Sequence, residues 1–175
     1  MAFHPPDPPS YTLEPQADGK VAISFVHQEM QRAYEFLVAR RDNHPVSVEA
    51  HFLQTKKQQR IPLLHFQCRG ATKTLLWSHA NAMDIGQMFF FFLELATRLR
   101  VNVAAYDYSG YGQASGEPSE ANAYSDALAA FVFLQERGVD TEKDLILYGQ
   151  SIGSGPSTYL ASCPLAAHAV RRPSI

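Results

Sequence analysis

The chain has few cysteines and no strong excess of charge of either sign. Its two cysteines, Cys68 and Cys163, exclude a disulfide-stapled scaffold and make a reducing compartment the expectation. The 15 Lys and Arg residues nearly balance the 17 Asp and Glu residues, so nothing basic enough to suggest nucleic acid stands out. No spacing of cysteine and histidine resembles a zinc site, and we expect no cofactor.

Long hydrophobic runs are missing too. The longest run, Met88–Leu93, is ended by Glu94, whereas a membrane-spanning helix needs about 20 apolar residues. The segment Met1–Ser10 is rich in proline and has no apolar stretch of the kind that a secretory signal requires. We therefore predict a cytoplasmic protein without a transmembrane segment, with the cytosolic face of membranes as a further expected location.

What the sequence does contain is typical of one globular domain. Hydrophobic residues make up 46% of the chain and charged residues 18%, which excludes intrinsic disorder. Residues 1–20 are predicted to form an extended, proline-rich arm, because proline fixes φ and removes a backbone donor. We assign residues 21–170 to the folded domain and residues 171–175 to a tail.

Strand and helix patterns alternate along the domain. After an ambiguous region up to residue 42, the pattern predicts three strands, a helix, a strand, a helix, a strand and a helix. The predicted strands are Val46–Thr55, Ile61–Cys68, Lys73–His79, Val101–Tyr108 and Leu145–Tyr148. An initial hairpin followed by strand–helix–strand units indicates an α/β fold, with a mixed, mostly parallel sheet and helices on both faces.

One motif points to chemistry. Gly149–Gly153 reads Gly-Gln-Ser-Ile-Gly and lies between the last predicted strand and a predicted helix. This context is typical of a nucleophile elbow, in which a strained turn presents the serine hydroxyl above the sheet. Glycines two residues before and after the serine leave room for the neighbouring strand and helix. We therefore predict that Ser151 is a catalytic nucleophile.

A second element would complete such a site. An oxyanion hole needs two backbone N–H groups, one after the serine and one from the loop that follows an earlier strand. The first would come from Ile152. The second would come from Asn81, with Ala80 as the weaker candidate.

These motifs together resemble an α/β-hydrolase, in its N-terminal part. The similarity is greatest to the alpha/beta-hydrolase domain-containing 17 group of protein depalmitoylases. It is carried by the segments Ala2–Tyr11, His79–Ala82, Asp84–Met88, Tyr106–Gly112, Ser115–Glu120 and Leu147–Gly153. The resemblance implies hydrolysis of the thioester of S-palmitoyl cysteine by an acyl-enzyme route through Ser151, Ile152 and Asn81. The implied partner is an acylated protein or another ester or thioester substrate, with a peripheral membrane contact.

The sequence departs from the family pattern in ways that affect this expectation. Ala80 stands where the family has glycine, and the family's cysteine-rich, palmitoylated N-terminus has no counterpart. The acid and the histidine of the triad follow the serine in α/β-hydrolases, but few residues follow Ser151. We therefore expect a truncated domain with impaired activity. A strand or tail role is expected for His168, a bracing role for His79, and a structural role for Asp107.

Two alternatives remain open at this stage. A non-catalytic fragment or pseudoenzyme would act as a binding module, and its unpaired strand edge would favour association. An esterase, lipase or peptidase-like hydrolase would use the same serine on another substrate, because the fold hosts many chemistries.

Overall fold

The computed structural model describes residues 3–40 and 44–162. Its seven strands, in the described residues, are β1 (Tyr11–Pro15), β2 (Val21–Phe25), β3 (Val46–Gln54), β4 (Arg60–Cys68), β5 (Thr74–Ser78), β6 (Asn102–Tyr106) and β7 (Leu145–Gly149). Its α-helices there are α1 (Gln28–Ala39), α2 (Phe89–Leu99), α3 (Glu120–Glu136) and α4 (Ser154–Ser162). From β3 onward, the observed order of strands and helices confirms the predicted one.

The main sheet is mixed, as expected, and has the strand order β3-β4-β6-β5-β7. The strands β3, β4 and β6 pair antiparallel, whereas β5 pairs parallel with both β6 and β7. Parallel and antiparallel pairings are therefore balanced among the described residues, and the sheet is less parallel there than predicted. Ser78 is in register with both Tyr106 and Gly149, so the three parallel strands end at one edge. The loops that follow them meet at that edge.

Helices cover both faces of this sheet, as the continuous burial of the residues along β5 and β6 requires. On β5, Leu75 and Trp77 join a core cluster with the apolar side chains of α2. Leu76, between them, joins a second cluster with the apolar side chains of α3 and with Leu160 of α4. Successive side chains of a strand point to opposite faces, so the two clusters lie on opposite sides of the sheet.

The N-terminal segment differs from the predicted extended arm in its second half. Strand β1 pairs antiparallel with β2 in a separate two-stranded sheet. The alternating residues Tyr11, Leu13, Ile23 and Phe25 are buried and join the α2 side of the core. Burial of this alternating face outweighs the effect of the flanking prolines, and Pro15 occupies the last position of its strand.

In the sequence, apolar residues at three- and four-residue steps extend back to Ile85, which predicts a helix from there, but helix α2 begins only at Phe89. Ile85 and Met88 are buried in the turns that precede the helix, which starts at Phe89. Phe89 and Phe92 are fully buried against the sheet, so these two residues of the phenylalanine run belong to the core. Among the described helices, none has the length and apolar character to cross a bilayer. Cys163, His168 with its expected strand or tail role, and the predicted tail 171–175 lie outside the described residues.

Candidate active site

Ser151 lies on a tight turn between strand and helix, where the motif predicted it. Strand β7 ends at Gly149, a single turn of 3-10 helix spans Ser151–Gly153, and α4 follows. The backbone of Ser151 has φ 53°, a left-handed conformation that L-residues other than glycine seldom adopt. The residue is exposed to solvent. The turn therefore presents the hydroxyl outward at the edge where the parallel strands end.

The two glycines of the motif make this turn sterically feasible. A Cβ on Gly149 would lie 2.7 Å from the Cα of Ser154, at the start of α4. A Cβ on Gly153 would overlap the carbonyl oxygen of Ser78, the last residue of β5. That same carbonyl accepts a 3.0 Å hydrogen bond from the N–H of Gln150. The elbow is thus packed directly on the end of the neighbouring strand.

The predicted oxyanion residues lie in the two loops that meet there. Ile152 follows Ser151 in the 3-10 turn and is half-buried. Asn81 is half-buried in the loop after β5, and its side-chain oxygen accepts hydrogen bonds from the Tyr111 hydroxyl at 2.7 Å and the Ala82 N–H at 3.0 Å. Ala80 has no positive φ, whereas Ala82 does, at 57°. The loop therefore accommodates alanine at position 80 without a left-handed backbone. The catalytic roles of Ser151, Ile152 and Asn81 stay predictions.

A small apolar cleft adjoins the elbow. It is lined by Phe3, Tyr108, Glu120, Ala123, Tyr124, Ile152, Gly155 and Pro156. The Phe3 ring also packs edge-on against Tyr111, with centroids 6.4 Å apart. The N-terminal segment thus contributes a wall to the space beside Ile152, which the sequence analysis did not anticipate.

His79 packs beneath the loop that follows β5. It is fully buried, with Nδ1 2.8 Å from the carbonyl oxygen of Ala80. Its Nε2 lies 3.3 Å from a carboxylate oxygen of Asp107, close enough for an ion pair but not aligned as a hydrogen bond. Both ring nitrogens therefore face these neighbours, and the contacts match the expected bracing role.

Asp107, at the end of β6, is a fully buried structural carboxylate. One oxygen accepts a 2.6 Å hydrogen bond from the Tyr11 hydroxyl, and the other accepts a 2.9 Å bond from the N–H of Ile85. Burial raises the pKa of Asp107, and the contact with His79 opposes that shift. A Cβ on Gly112 would overlap this carboxylate, so the loop between β6 and α3 packs directly against it. These contacts match the structural role expected for Asp107.

Two further carboxylates hold the loops around the site. Asp84 accepts a 2.7 Å hydrogen bond from the N–H of Ser10 and one from the Ser10 hydroxyl. It also accepts a 2.9 Å bond from the N–H of Gln87, so it caps the turn before α2 rather than the helix itself. Asp126, buried in α3, accepts hydrogen bonds from the N–H and the hydroxyl of Ser109 at 2.7 and 2.9 Å.

The partners of these carboxylates cannot be read from the sequence. The pairs are Tyr11 with Asp107, Ser10 with Asp84, and Ser109 with Asp126. No local sequence pattern predicts them, because each pair forms only in the tertiary structure. For Asp126 alone, the sequence holds a signal of burial, because this aspartate stands among the apolar residues of a predicted helix. In the structure, Asp126 and its neighbour Ala127 are both buried residues of α3. Within the described ranges, no group of three or more His, Cys, Asp or Glu side chains is arranged to hold a metal ion.

Comparison with known proteins identifies relatives of this arrangement. The chain is 39% identical over 163 residues to alpha/beta hydrolase domain-containing protein 17B of Homo sapiens, covering 93% of this chain and 54% of that protein. It is 37% identical over 175 residues to protein 17C of Xenopus tropicalis, covering 93% and 55%. The chain thus spans about half the length of these curated relatives. No family model matches it.

Solved structures show the same fold. An esterase from Pyrobaculum calidifontis aligns with a TM-score of 0.56 at 19% identity, over 82% of this chain and 47% of that one. A bacterial heroin esterase aligns with a TM-score of 0.56, also at 19% identity, over 78% and 45%. At such identities the likeness establishes the fold and leaves the substrate open.

Proposed function

We propose, from the membership of this chain in the α/β-hydrolase family that includes the domain-containing proteins 17B and 17C, that it is a serine hydrolase with Ser151 as nucleophile. The observation that carries the proposal is the exposed Ser151 at φ 53° on a glycine-cradled turn between β7 and α4. A serine at the start of an ordinary helix would not need the left-handed backbone conformation that Ser151 adopts. Strained residues of this kind cluster at active sites, where the surrounding structure holds them.

The chemistry follows from that geometry. The Ser151 oxygen would attack the acyl carbonyl carbon, and its proton would pass to a base. The negative charge that develops on the carbonyl oxygen would be stabilised by the N–H groups of Ile152 and Asn81 and by the partial positive charge at the start of α4. Collapse would expel a thiol or an alcohol and leave an acyl-serine. Water would then add to the acyl carbon, releasing a carboxylic acid and restoring the hydroxyl.

The base for this reaction is not assigned among the described residues. The ring nitrogens of His79 contact Ala80 and Asp107. Asp107 in turn accepts hydrogen bonds from the Tyr11 hydroxyl and the Ile85 N–H. A serine hydroxyl without an adjacent base is a weak nucleophile. With the described residues alone, we expect slow turnover, at the level that oxyanion stabilisation and binding sustain, about 10³–10⁴-fold over water in characterised triad enzymes.

The finer proposal concerns the substrate. We propose a long-chain acyl thioester, the S-palmitoyl cysteine of a protein, on the strength of the resemblance to the depalmitoylases of the 17 group. The cleft beside Ile152, lined by Phe3, Tyr108 and Pro156 among others, is apolar, but with a volume of about 10 Å³ it is too small to hold an acyl chain as it stands. A protein that meets such substrates would act at the cytosolic face of membranes.

Active-site labelling tests the nucleophile. A fluorophosphonate probe should label the purified full chain, and the label should map to Ser151. Ser151→Ala should abolish labelling, whereas Ser157→Ala, within the helix α4 that follows the turn, should label like the unchanged protein. Folded protein that takes up no label would contradict the proposal and favour the binding-module alternative.

Substrate comparison tests the finer proposal. Protein that has not been exposed to the probe should release fatty acid from an S-palmitoyl peptide faster than it hydrolyses a short-chain nitrophenyl ester, after the rate of Ser151→Ala is subtracted in each case. The reverse order would leave the serine hydrolase in place and point to another ester as the substrate.

A further inference from the structure

The segment before the first strand reaches across the candidate site. We refer to residues 3–10 as the N-terminal strap. At one end, the backbone N–H of His4 donates to the side-chain oxygen of Asn81 at 2.9 Å and to the Tyr111 hydroxyl at 3.1 Å. At the other end, Ser10 is bonded through its N–H and its hydroxyl to the buried Asp84. The strap is therefore fixed at both ends to the loop that follows β5.

Several donors converge on one atom of that loop. The side-chain oxygen of Asn81 accepts from the His4 N–H, the Tyr111 hydroxyl at 2.7 Å and the Ala82 N–H at 3.0 Å. The Tyr111 ring is fully buried between Tyr108, His79 and Phe3, so its hydroxyl has a fixed position. A backbone donor from the strap and a side-chain donor from the loop after β6 thus clamp the same amide.

The loop needs external support of this kind. Ala82 has φ 57°, which costs an alanine on the order of 1–2 kcal/mol and persists only where neighbouring contacts impose it. The Asn81 clamp lies immediately before that residue. Because a backbone amide moves with the side chain anchored to the same Cα, the clamp also restricts where the Asn81 N–H can point.

We infer that the main-chain N–H of His4 and the hydroxyl of Tyr111 are positioning groups for the oxyanion loop, which they hold through the side chain of Asn81. The inference rests on the proposed function and assigns part of the site's geometry to the N-terminal strap. The His4 side chain itself is exposed, so the contribution comes from the backbone.

A matched pair of variants isolates the backbone donor. His4→Pro removes the N–H in a segment where Pro5 and Pro6 already follow, whereas His4→Ala keeps it. Tyr111→Phe removes the second donor. Its control is Tyr106→Phe, which removes an equally buried hydroxyl, bonded to Ser78 at 2.7 Å, without touching Asn81. Melting temperatures of all four proteins show which are folded, and either pair suffices if a member of the other fails to fold.

Labelling kinetics at Ser151 give the chemical readout. His4→Pro and Tyr111→Phe should lower the rate constant at saturating fluorophosphonate about tenfold relative to their controls, with unchanged half-saturation, because a misplaced oxyanion donor weakens transition-state stabilisation more than binding. Labelling of the unchanged protein combined with equal rate constants within each pair would overturn the inference and leave the proposed function intact.

Hydrogen exchange decides the matter independently of catalysis. Amides in the peptide covering residues 79–84 should exchange faster in His4→Pro than in His4→Ala, and faster in Tyr111→Phe than in Tyr106→Phe. Equal exchange within both pairs would overturn the inference even if no protein is labelled. Absence of label at Ser151 in the unchanged protein would separately overturn the proposed function.

Discussion

Tyr11 and Asp107 are 96 positions apart in the chain, yet the tyrosine hydroxyl donates a 2.6 Å hydrogen bond to the aspartate carboxylate. Both residues are fully buried. The bond joins β1 to the end of β6, next to Gly112 in the loop after β6 and beside His79. The N-terminal hairpin is therefore part of the support of the candidate site.

The first prediction concerns that bond. Tyr11→Phe keeps the ring in the core but leaves a buried carboxylate without one of its donors. We expect the free energy of unfolding to fall by about 1–3 kcal/mol, measured by urea denaturation. Tyr34→Phe is the control, because the Tyr34 ring packs on Phe25 and Phe89 in the same core. Equal losses in the two variants would show that the Tyr11 hydroxyl adds nothing.

The second prediction concerns backbone strain at the elbow. Ser151→Gly and Ser151→Ala both remove the hydroxyl, but only glycine adopts φ 53° without a steric penalty. After allowance for the greater flexibility of glycine in the unfolded chain, we expect Ser151→Gly to be about 0.5–1 kcal/mol more stable than Ser151→Ala in urea denaturation.

The same comparison three residues later should reverse in sign. Ser154 has φ −64° and ψ −31°, which are ordinary helical values. Ser154→Gly should therefore be less stable than Ser154→Ala, by about 1 kcal/mol. If both sites prefer alanine, then the elbow is not strained in solution.

The third prediction tests the close approach of the elbow to β5. Gly153→Ala introduces a methyl group that overlaps the Ser78 carbonyl oxygen, a backbone atom that cannot rotate away. We expect a loss of about 1–3 kcal/mol or more in unfolding free energy, together with loss of labelling at Ser151. Gly155→Ala is the matched control.

In that control, the added methyl meets nothing closer than the Tyr124 ring at 3.9 Å and lies within α4. Alanine is the better helix former, so Gly155→Ala should be neutral or more stable by up to about 1 kcal/mol. Similar destabilisation at both positions would contradict the packing described for the elbow.

The fourth prediction concerns pH. Burial raises the pKa of Asp126 from 3.8 to about 6, although hydrogen bonds from Ser109 oppose the shift. The folded state therefore binds the proton more tightly than the unfolded state, and the stability linked to Asp126 is full below pH 4 and lost as the pH rises through 6. Relative to Asp126→Asn, the unchanged protein should lose about 2–3 kcal/mol of unfolding free energy between pH 4 and 7.

An exposed aspartate supplies the control for pH. Hydrogen bonding by the N–H of Lys143 lowers the pKa of Asp140 below 3.8. Asp140 is thus ionised in both states above pH 4.5, and Asp140→Asn should change stability by a constant amount from there to pH 7. A flat difference for Asp126→Asn as well would mean that Asp126 is not buried as described.

Local patterns were sufficient for the elements that build the sheet and the elbow. The alternation in β3, the apolar runs of β5 and β6, and a capping serine before α3 are each visible in a short window of sequence. In the structure, Ser119 caps α3 by accepting a hydrogen bond from the N–H of Asn122. The glycine spacing around Ser151 likewise encodes the turn. By contrast, the apolar spacing that starts at Ile85 does not mark the start of α2, because Ile85 and Met88 are buried in turns and an apolar spacing does not distinguish a turn from a helix.

The amino-acid sequence alone determined the strands from β3 to β7, the order of the helices between and after them, and the turn at Ser151, since these depend on side-chain periodicity and on glycines within a few residues of one another. Only the tertiary structure decided that part of the proline-rich segment forms β1 and pairs with β2, that Asp107 binds Tyr11, and that the His4 backbone contacts Asn81. Those contacts join residues far apart in the chain, and their partners are selected by desolvation and geometry when the layers pack together.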